Sequence, residues 1–154
     1  MGLLAKASQI FELDNTVEKI INRISRIPKE LNSPYNTLYL LKIYCSFESG
    51  ICLSLENDNY VEYTSVGLGV GKKTVLENLV FSEERSTLPC FEFSDAEEKR
   101  KLNLMDHSTD IWCFPFDEAQ PWNAVLIIGN TDSSFNKLVL AKLLKLVQKN
   151  LAGN

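Results

Sequence analysis

Four consecutive apolar residues near the end of the chain, Val125 to Ile128, constrain its architecture more than any other feature. A strand without polar alternation is apolar on both sides, so it has to lie inside a sheet that is covered on both faces. The chain has 154 residues, of which 45% are hydrophobic and 23% charged, and this composition fits one globular domain with its own core. The sequence therefore predicts a single domain in which helices cover a central sheet.

Strands and helices are predicted along the rest of the chain from the change between period-2 and helical spacing. Three apolar runs joined by tight turns at Glu48–Gly50 and Glu56–Asn59 predict an antiparallel meander, with strands at Thr37–Phe47, Ile51–Leu55 and Tyr60–Val66. The later elements are predicted as a helix in Val75–Val80, a strand at Cys90–Phe93, a capped helix from Ser94, strands at Ile111–Phe116 and Asn123–Ile128, and a helix from Ser134 to Leu151.

The first helix has two interpretations. Apolar residues step by three and four from Leu3 to Ile27, interrupted only by Lys6, and this heptad pattern suits a helical seam between two chains. Alternatively, Asp14–Thr16 caps a helix of about 13 residues that lies on the sheet, preceded by a separate short helix. Under either interpretation, Pro28 marks the end of the helix.

A glycine-rich segment, Gly67–Thr74, follows the third predicted strand and resembles a phosphate-binding loop. A Walker A loop requires glycine where this chain has Val66, and a hydroxyl residue where it has Lys73, so the magnesium ligand would be missing. We therefore interpret these glycines as residues that allow unusual backbone angles at a strand exit.

Composition excludes several classes of function. A net charge of −4 and dispersed basic residues give no footprint for nucleic acid. We expect a cytoplasmic protein without a membrane contact, since no signal peptide or apolar run of spanning length is present. The four cysteines form no CxxC pair and His107 is the only histidine, so we predict buried thiols and no metal site.

The order of elements and three segments resemble the GAF family of small-molecule sensor domains. The segments are Gly50–Leu55 running into Tyr60–Leu68, then Ile111–Phe116, then Trp122–Asn130. The resemblance spans about Thr16 to Leu151, with residues 1–15 as an N-terminal helical extension and residues 16–151 as the GAF-like domain. It implies an α+β fold with a six-stranded antiparallel sheet and helices on both faces.

The resemblance also implies a function: a non-catalytic sensor or regulator in signal transduction that binds a small ligand or a protein partner and works as a homodimer. The pocket would lie between one sheet face and the Val75–Met105 segment, and our candidates for it are Cys90, Phe91, Phe93, Trp112, Phe114 and Tyr63. Family members often dimerise through the first and last helices, so our candidates for the dimer interface are Leu13, Val17, Ile20, Ile24, Leu140, Leu144 and Val147.

No cofactor follows from the resemblance. The family's cyclic-nucleotide motif is absent, and no cysteine adjoins His107 as tetrapyrrole attachment would require. Two alternatives stay open. One is a profilin-like or roadblock-like interaction module whose pocket is filled by its own aromatic side chains. The other is a thiol-dependent methionine sulfoxide reductase that would use Cys90 or Cys113 as its nucleophile.

Overall fold

The computed structural model describes residues 3–28, 31, 33–68, 74–77, 79–82, 84–85, 88–102, 110–116 and 123–151. Its helices, numbered in chain order, are α1 (Leu3–Ser25), α2 (Pro34–Cys45), α3 (Ala96–Lys101) and α4 (Lys137–Leu151). Its strands are β1 (Phe47–Glu56), β2 (Asn59–Val66), β3 (Val75–Leu76), β4 (Phe91–Glu92), β5 (Ile111–Pro115) and β6 (Ala124–Thr131). None of the described helices is both long and apolar enough to span a bilayer.

The six strands form one antiparallel sheet in the order β3-β2-β1-β6-β5-β4. The predicted fold class, an α+β fold around a six-stranded antiparallel sheet, is confirmed. Val125 to Ile128 lie in β6, between β1 and β5, and each is 0% exposed. The apolar run is therefore a two-sided central strand, as its lack of polar alternation predicts.

Strand alternation divides the core into two layers. Leu126 and Ile128 of β6 face α1, α2 and α4, and we call this side of the sheet the helical face. Val125 and Ile127 face the opposite side, which we call the aromatic face and which Leu102 at the end of α3 also contacts. Helices thus lie on both sides of the sheet, three on the helical face and the short α3 on the other.

Helix α1 is continuous from Leu3 to Ser25, so the interpretation with a separate short helix and a cap at Asp14–Thr16 is wrong. The seam between two chains stays a prediction. The predicted boundary between residues 15 and 16 falls inside this helix. Val17, Ile20 and Ile24 lie on its inner face and pack in the core of the helical face with residues of α4.

The predicted strand at Thr37–Phe47 is wrong, because most of this segment is helix α2. Its buried residues Thr37, Leu38, Leu41 and Cys45 recur at helical spacing. The helix begins after Ser33, whose hydroxyl accepts a hydrogen bond from the Asn36 N–H, with Pro34 at the first helical position. Strand β1 follows at once, so Glu48–Gly50 belong to a strand and not to a hairpin turn.

The predicted helix in Val75–Val80 is also wrong. Val75 and Leu76 form β3 and pair with Val61 and Tyr60 of β2. The meander therefore consists of β1, β2 and β3, one strand later than predicted.

Two turn predictions are confirmed where the structure describes them; Gly69 and Gly71 lie outside the described residues. Asn57 and Asp58, with φ of 50° and 68°, connect β1 to β2 in left-handed backbone. Gly67 leaves β2 with φ +74°, and a Cβ there would lie 2.1 Å from the Glu48 carbonyl oxygen. Only glycine fits this approach of two backbones.

Candidate functional site

The aromatic face of the sheet is filled by side chains of the chain itself. The ring centroid of Phe81 lies 5.7 Å from that of Tyr60, 5.6 Å from Phe91 and 6.1 Å from Phe93. Phe91 and Phe93 meet edge to face at 5.2 Å, a favourable geometry for aromatic pairs. Tyr60 is 2% and Phe93 1% exposed, so these rings form a packed cluster and not the wall of an open pocket.

An ion pair closes the aromatic cluster from outside. The Arg85 guanidinium lies 4.3 Å from the ring centroid of Phe91 and donates two hydrogen bonds to the Glu98 carboxylate of α3. The hydrogen bond that Arg85 donates to Glu98 is the main reason that the pKa of Arg85 is raised above its usual value. Arg85 thereby links the segment that precedes β4 to helix α3, and its guanidinium stacks on the Phe91 ring. Outside this ion pair lies a shallow cleft of about 410 Å³, bordered by Val80 and Leu88.

The six predicted pocket residues do not lie together. Phe91 and Phe93 lie on the aromatic face, but Cys90, Trp112 and Phe114 contact the core of the helical face. Successive side chains of a strand point to opposite sides, which separates Phe114 from Cys113 and Cys90 from Phe91. Tyr63 is 50% exposed on β2. The six therefore cannot line one pocket, and a ligand contact at any of them stays a prediction.

The residues that close the aromatic face were mostly not predicted. Tyr60 lies on β2, whereas Phe81 and Arg85 lie in the segment before β4. Only the fold brings Phe81 and Arg85 against Phe91, and Tyr60 against Phe81. Alternation along Tyr60–Val66 could have indicated an inward Tyr60, whereas Phe81 and Arg85 lie in a segment without regular periodicity.

All four cysteines are free and buried, as predicted. Burial raises the pKa of the Cys45 thiol from 9.0 to about 12 and raises the pKa values of Cys52 and Cys113 as well. Burial also raises the pKa of Cys90, although Lys137 opposes this shift. A nucleophilic thiol needs a lowered pKa, so these environments give no support to a thiol reductase. Cys90 and Cys113 also lie on opposite faces of the sheet.

No group of metal-ligating side chains occurs among the described residues. His107 lies outside them.

The predicted dimer-interface residues lie inside the chain and not on its surface. Val17, Ile20, Ile24, Leu140, Leu144 and Val147 are 0–7% exposed and belong to the core of the helical face. Leu13 is partly buried against the same core. The chain itself therefore already buries these residues, and their contact with a second chain stays a prediction. Apolar helical spacing indicates a buried stripe but does not say whether the same chain or a partner buries it.

Other apolar residues of α1 and α4 are exposed to solvent. Phe11 is 72%, Ile10 58%, Leu146 63% and Leu138 47% exposed. The carboxylate of Asp14 accepts a hydrogen bond from the Lys142 ammonium and ties the two helices together at the same surface. Ile10 belongs to the heptad pattern and Leu146 to the apolar arc of the last helix, whereas Phe11 and Leu138 lie outside both patterns.

A larger cleft lies on the helical side, between the first half of α1, the end of α2 and the start of α4. Its volume is about 630 Å³, and its lining includes Leu13, Thr16, Tyr44 and Val139. This volume lies within the range of small-molecule sites, but the cleft is not where the resemblance places a pocket.

Comparisons with known proteins identify the fold. No protein-family model matches the sequence, and no curated protein sequence matches it. Among solved structures, the GAF domain of an Acinetobacter phosphoenolpyruvate-protein phosphotransferase is similar, with a TM-score of 0.61 and 14% identity over 99% of this chain and 95% of that one. The corresponding domain from Coxiella burnetii gives a TM-score of 0.60 and 16% identity, covering 92% and 91%.

The A. aeolicus nlh2 GAF domain, in an inactive state, gives a TM-score of 0.56 and 15% identity, covering 94% of this chain and 92% of that one. All three similar structures are GAF domains matched over most of their length. The chain therefore has the GAF fold, as the resemblance predicted.

Proposed function

We propose that this GAF-fold chain is a non-catalytic regulatory domain that acts through protein contacts, and that it works as a homodimer. The observation that carries the proposal is the packed aromatic face. Its space is filled by contacts among four rings, with Arg85 stacked on one of them; the rings are Tyr60, Phe81, Phe91 and Phe93. Because its own rings fill this space, the domain has no room for a ligand there. We therefore expect it to transmit a signal through contacts at its surface. The proposal thus retains the GAF fold and adopts the filled pocket of the interaction-module alternative.

The similar structures support a regulatory role. Two of them are GAF domains from phosphoenolpyruvate-protein phosphotransferases. The third is a GAF domain described in an inactive state, and a protein with distinct inactive and active states is a regulated one. Buried cysteines with raised pKa values support the absence of thiol catalysis. Four unpaired thiols also suit a reducing compartment, so we assign the protein to the cytoplasm within this proposal.

The homodimer is supported by the exposed apolar residues of α1 and α4. Exposed phenylalanine and leucine side chains on these two helices cost solvation free energy in a monomer, and burial against a second copy recovers it. Residues that belong to the intrachain core are not needed for this contact.

Sedimentation equilibrium over a wide range of concentrations tests the homodimer. We expect a reversible monomer–dimer equilibrium, with the dimer dominant at high concentration. A single monomeric species at every concentration would overturn this part of the proposal.

A second candidate function is small-ligand binding at the cleft on the helical side, which its volume of about 630 Å³ favours. Ligand-observed NMR with a library of small amphipathic compounds tests it. Thr16→Trp should fill the cleft and abolish binding, whereas Asn15→Trp, on the same helix but outside the lining, should leave binding unchanged. No binder, or binders that are indifferent to Thr16→Trp, would remove this candidate.

A further inference from the structure

The cleft on the helical side has an apolar floor and carries one charge. Cys45 at the end of α2 and Val139 in the first turn of α4 are 3% and 6% exposed, and half-buried Leu13 of α1 packs against the same core. Among the described residues that line the cleft, Glu12 is the only one with a charged side chain, and it is exposed to solvent. The cleft therefore combines apolar surface in its depth with one carboxylate near its opening.

The Glu12 carboxylate has no ion-pair partner among the residues that the structure describes. The next acidic residue of α1, Asp14, differs in this respect, because its carboxylate accepts a hydrogen bond from the Lys142 ammonium. Thr16 donates its hydroxyl to the Glu12 carbonyl oxygen, and this bond uses only the main chain of Glu12. The charge of Glu12 is thus available to a molecule in the cleft.

The basic residues that follow Glu12 on α1 do not line the cleft. Along the helix axis, Lys19 lies about 10 Å and Arg23 about 16 Å from Glu12, at about 1.5 Å per residue. Salt screens much of the charge at these distances, since the screening length is about 8–10 Å at physiological ionic strength. The Arg23 guanidinium lies 5.6 Å from the ring centroid of Tyr44, so we assign this ring no part in binding another cation.

The amino end of α4 does not make the cleft an anion site. A helix N-terminus attracts anions through N–H groups that lack a partner. Here the Asn136 side-chain oxygen accepts hydrogen bonds from the N–H groups of Leu138 and Val139. No basic side chain occurs among the described lining residues. An anion in the cleft would therefore meet the charge of Glu12 without a basic side chain to compensate for it.

We propose that this cleft binds an amphipathic organic cation, with a compact apolar body against Leu13 and Val139 and a primary ammonium paired with Glu12. The apolar body leaves water for the floor of the cleft, while the ammonium keeps part of its hydration because Glu12 is exposed. The inference rests on the second candidate function above and deepens it by naming the class of ligand.

Three indole probes of similar size test the preference for a cation. At about pH 7, tryptamine is a cation, tryptophol is neutral and indole-3-acetate is an anion. We expect tryptamine to bind with a dissociation constant of about 1 mM or tighter. It should bind about threefold tighter than tryptophol, a modest factor because an exposed charge pair is screened by solvent, and indole-3-acetate should bind the most weakly. Protein-observed NMR titrations at one protein concentration measure the three constants.

Variants of two acidic residues on α1 separate the charge of the cleft from the charge of the helix. Glu12→Gln keeps the shape of the side chain and should weaken tryptamine to the level of tryptophol, while tryptophol binds as before. Glu18→Gln removes an exposed acid of the same helix that does not line the cleft, and it should leave the preference for tryptamine unchanged. Raising NaCl from about 0.05 M to about 0.5 M should reduce the preference in the parent chain.

The outcomes separate this inference from the candidate function on which it rests. Tryptamine and tryptophol that bind equally, or a preference that survives Glu12→Gln, would overturn the inference. The cleft would remain a ligand site in that case if Thr16→Trp still abolished binding. Probes that are indifferent to Thr16→Trp bind elsewhere and would also overturn the inference. If neither the probes nor the compound library gave a binder, both the inference and the candidate function would fall.

Discussion

Phe93 shows at the scale of one residue why the aromatic face is a core and not a binding site. Its ring is 1% exposed and lies against Phe81 and Phe91. We expect Phe93→Ala to lower the free energy of unfolding by about 3–5 kcal/mol, since it removes buried surface and leaves a cavity. Val80→Ala, at a residue 78% exposed, should change it by less than about 0.5 kcal/mol.

Urea denaturation of both variants measures these changes. A Phe93→Ala protein as stable as its parent would show that the ring is not part of the folding core, and would reopen the aromatic face as a pocket.

The Cys45 thiol gives the protein a dependence of stability on alkaline pH. Its folded pKa, about 12, exceeds the usual 9.0 because the thiolate would be buried. The unfolded chain therefore loses this proton first as the pH rises. Stability should be constant below about pH 8 and fall above about pH 9, by about 1.4 kcal/mol per pH unit for each such thiol.

Urea denaturation of the parent chain and of Cys45→Ala between about pH 7 and pH 11 measures this dependence. The variant should lose stability less steeply above about pH 9. Equal slopes in the two proteins would mean that Cys45 is not buried as the structure describes.

Element prediction succeeded where one physical signal dominated and failed where two competed. β6 was predictable because no polar residue interrupts Val125–Ile128. In Thr37–Phe47, the aromatic and branched residues favour a strand, but Ser33 and Pro34 form a helix start that outweighs them. In Val75–Val80, the deciding factor is the pairing of Val75 with Val61, a contact between distant segments that local spacing cannot show.

Ile20 tests the assignment of the inner face of α1 to the monomer core. It is 7% exposed, so Ile20→Ala should lower the free energy of unfolding by about 2–5 kcal/mol. Because the contact lies within one chain, we expect this loss to be the same at low and high protein concentration. Phe11→Ala serves as the matched change on the outer face of the same helix and should leave the monomer's stability nearly unchanged.

Denaturation at two concentrations distinguishes the two assignments. A loss for Ile20→Ala that appears only at concentrations where the chain dimerises would return this residue to the interface between chains.

At the scale of the whole molecule, the sequence was sufficient for the fold class but not for the site. The family resemblance and the two-sided central strand predicted the fold class, although the elements predicted at Thr37–Phe47 and Val75–Val80 were wrong. The site depends on which face each strand residue takes, and a one-residue error moves a side chain such as Phe114 to the other face. The packing of Arg85 on Phe91 joins a loop to a strand and has no signature in local sequence.

The central claim is a regulatory domain that works as a homodimer with its aromatic face filled. Native mass spectrometry of protein purified without added ligand tests both parts in one measurement. We expect a species of twice the chain mass of 17.4 kDa with no small molecule retained. A monomer that carries a bound small molecule would contradict the account.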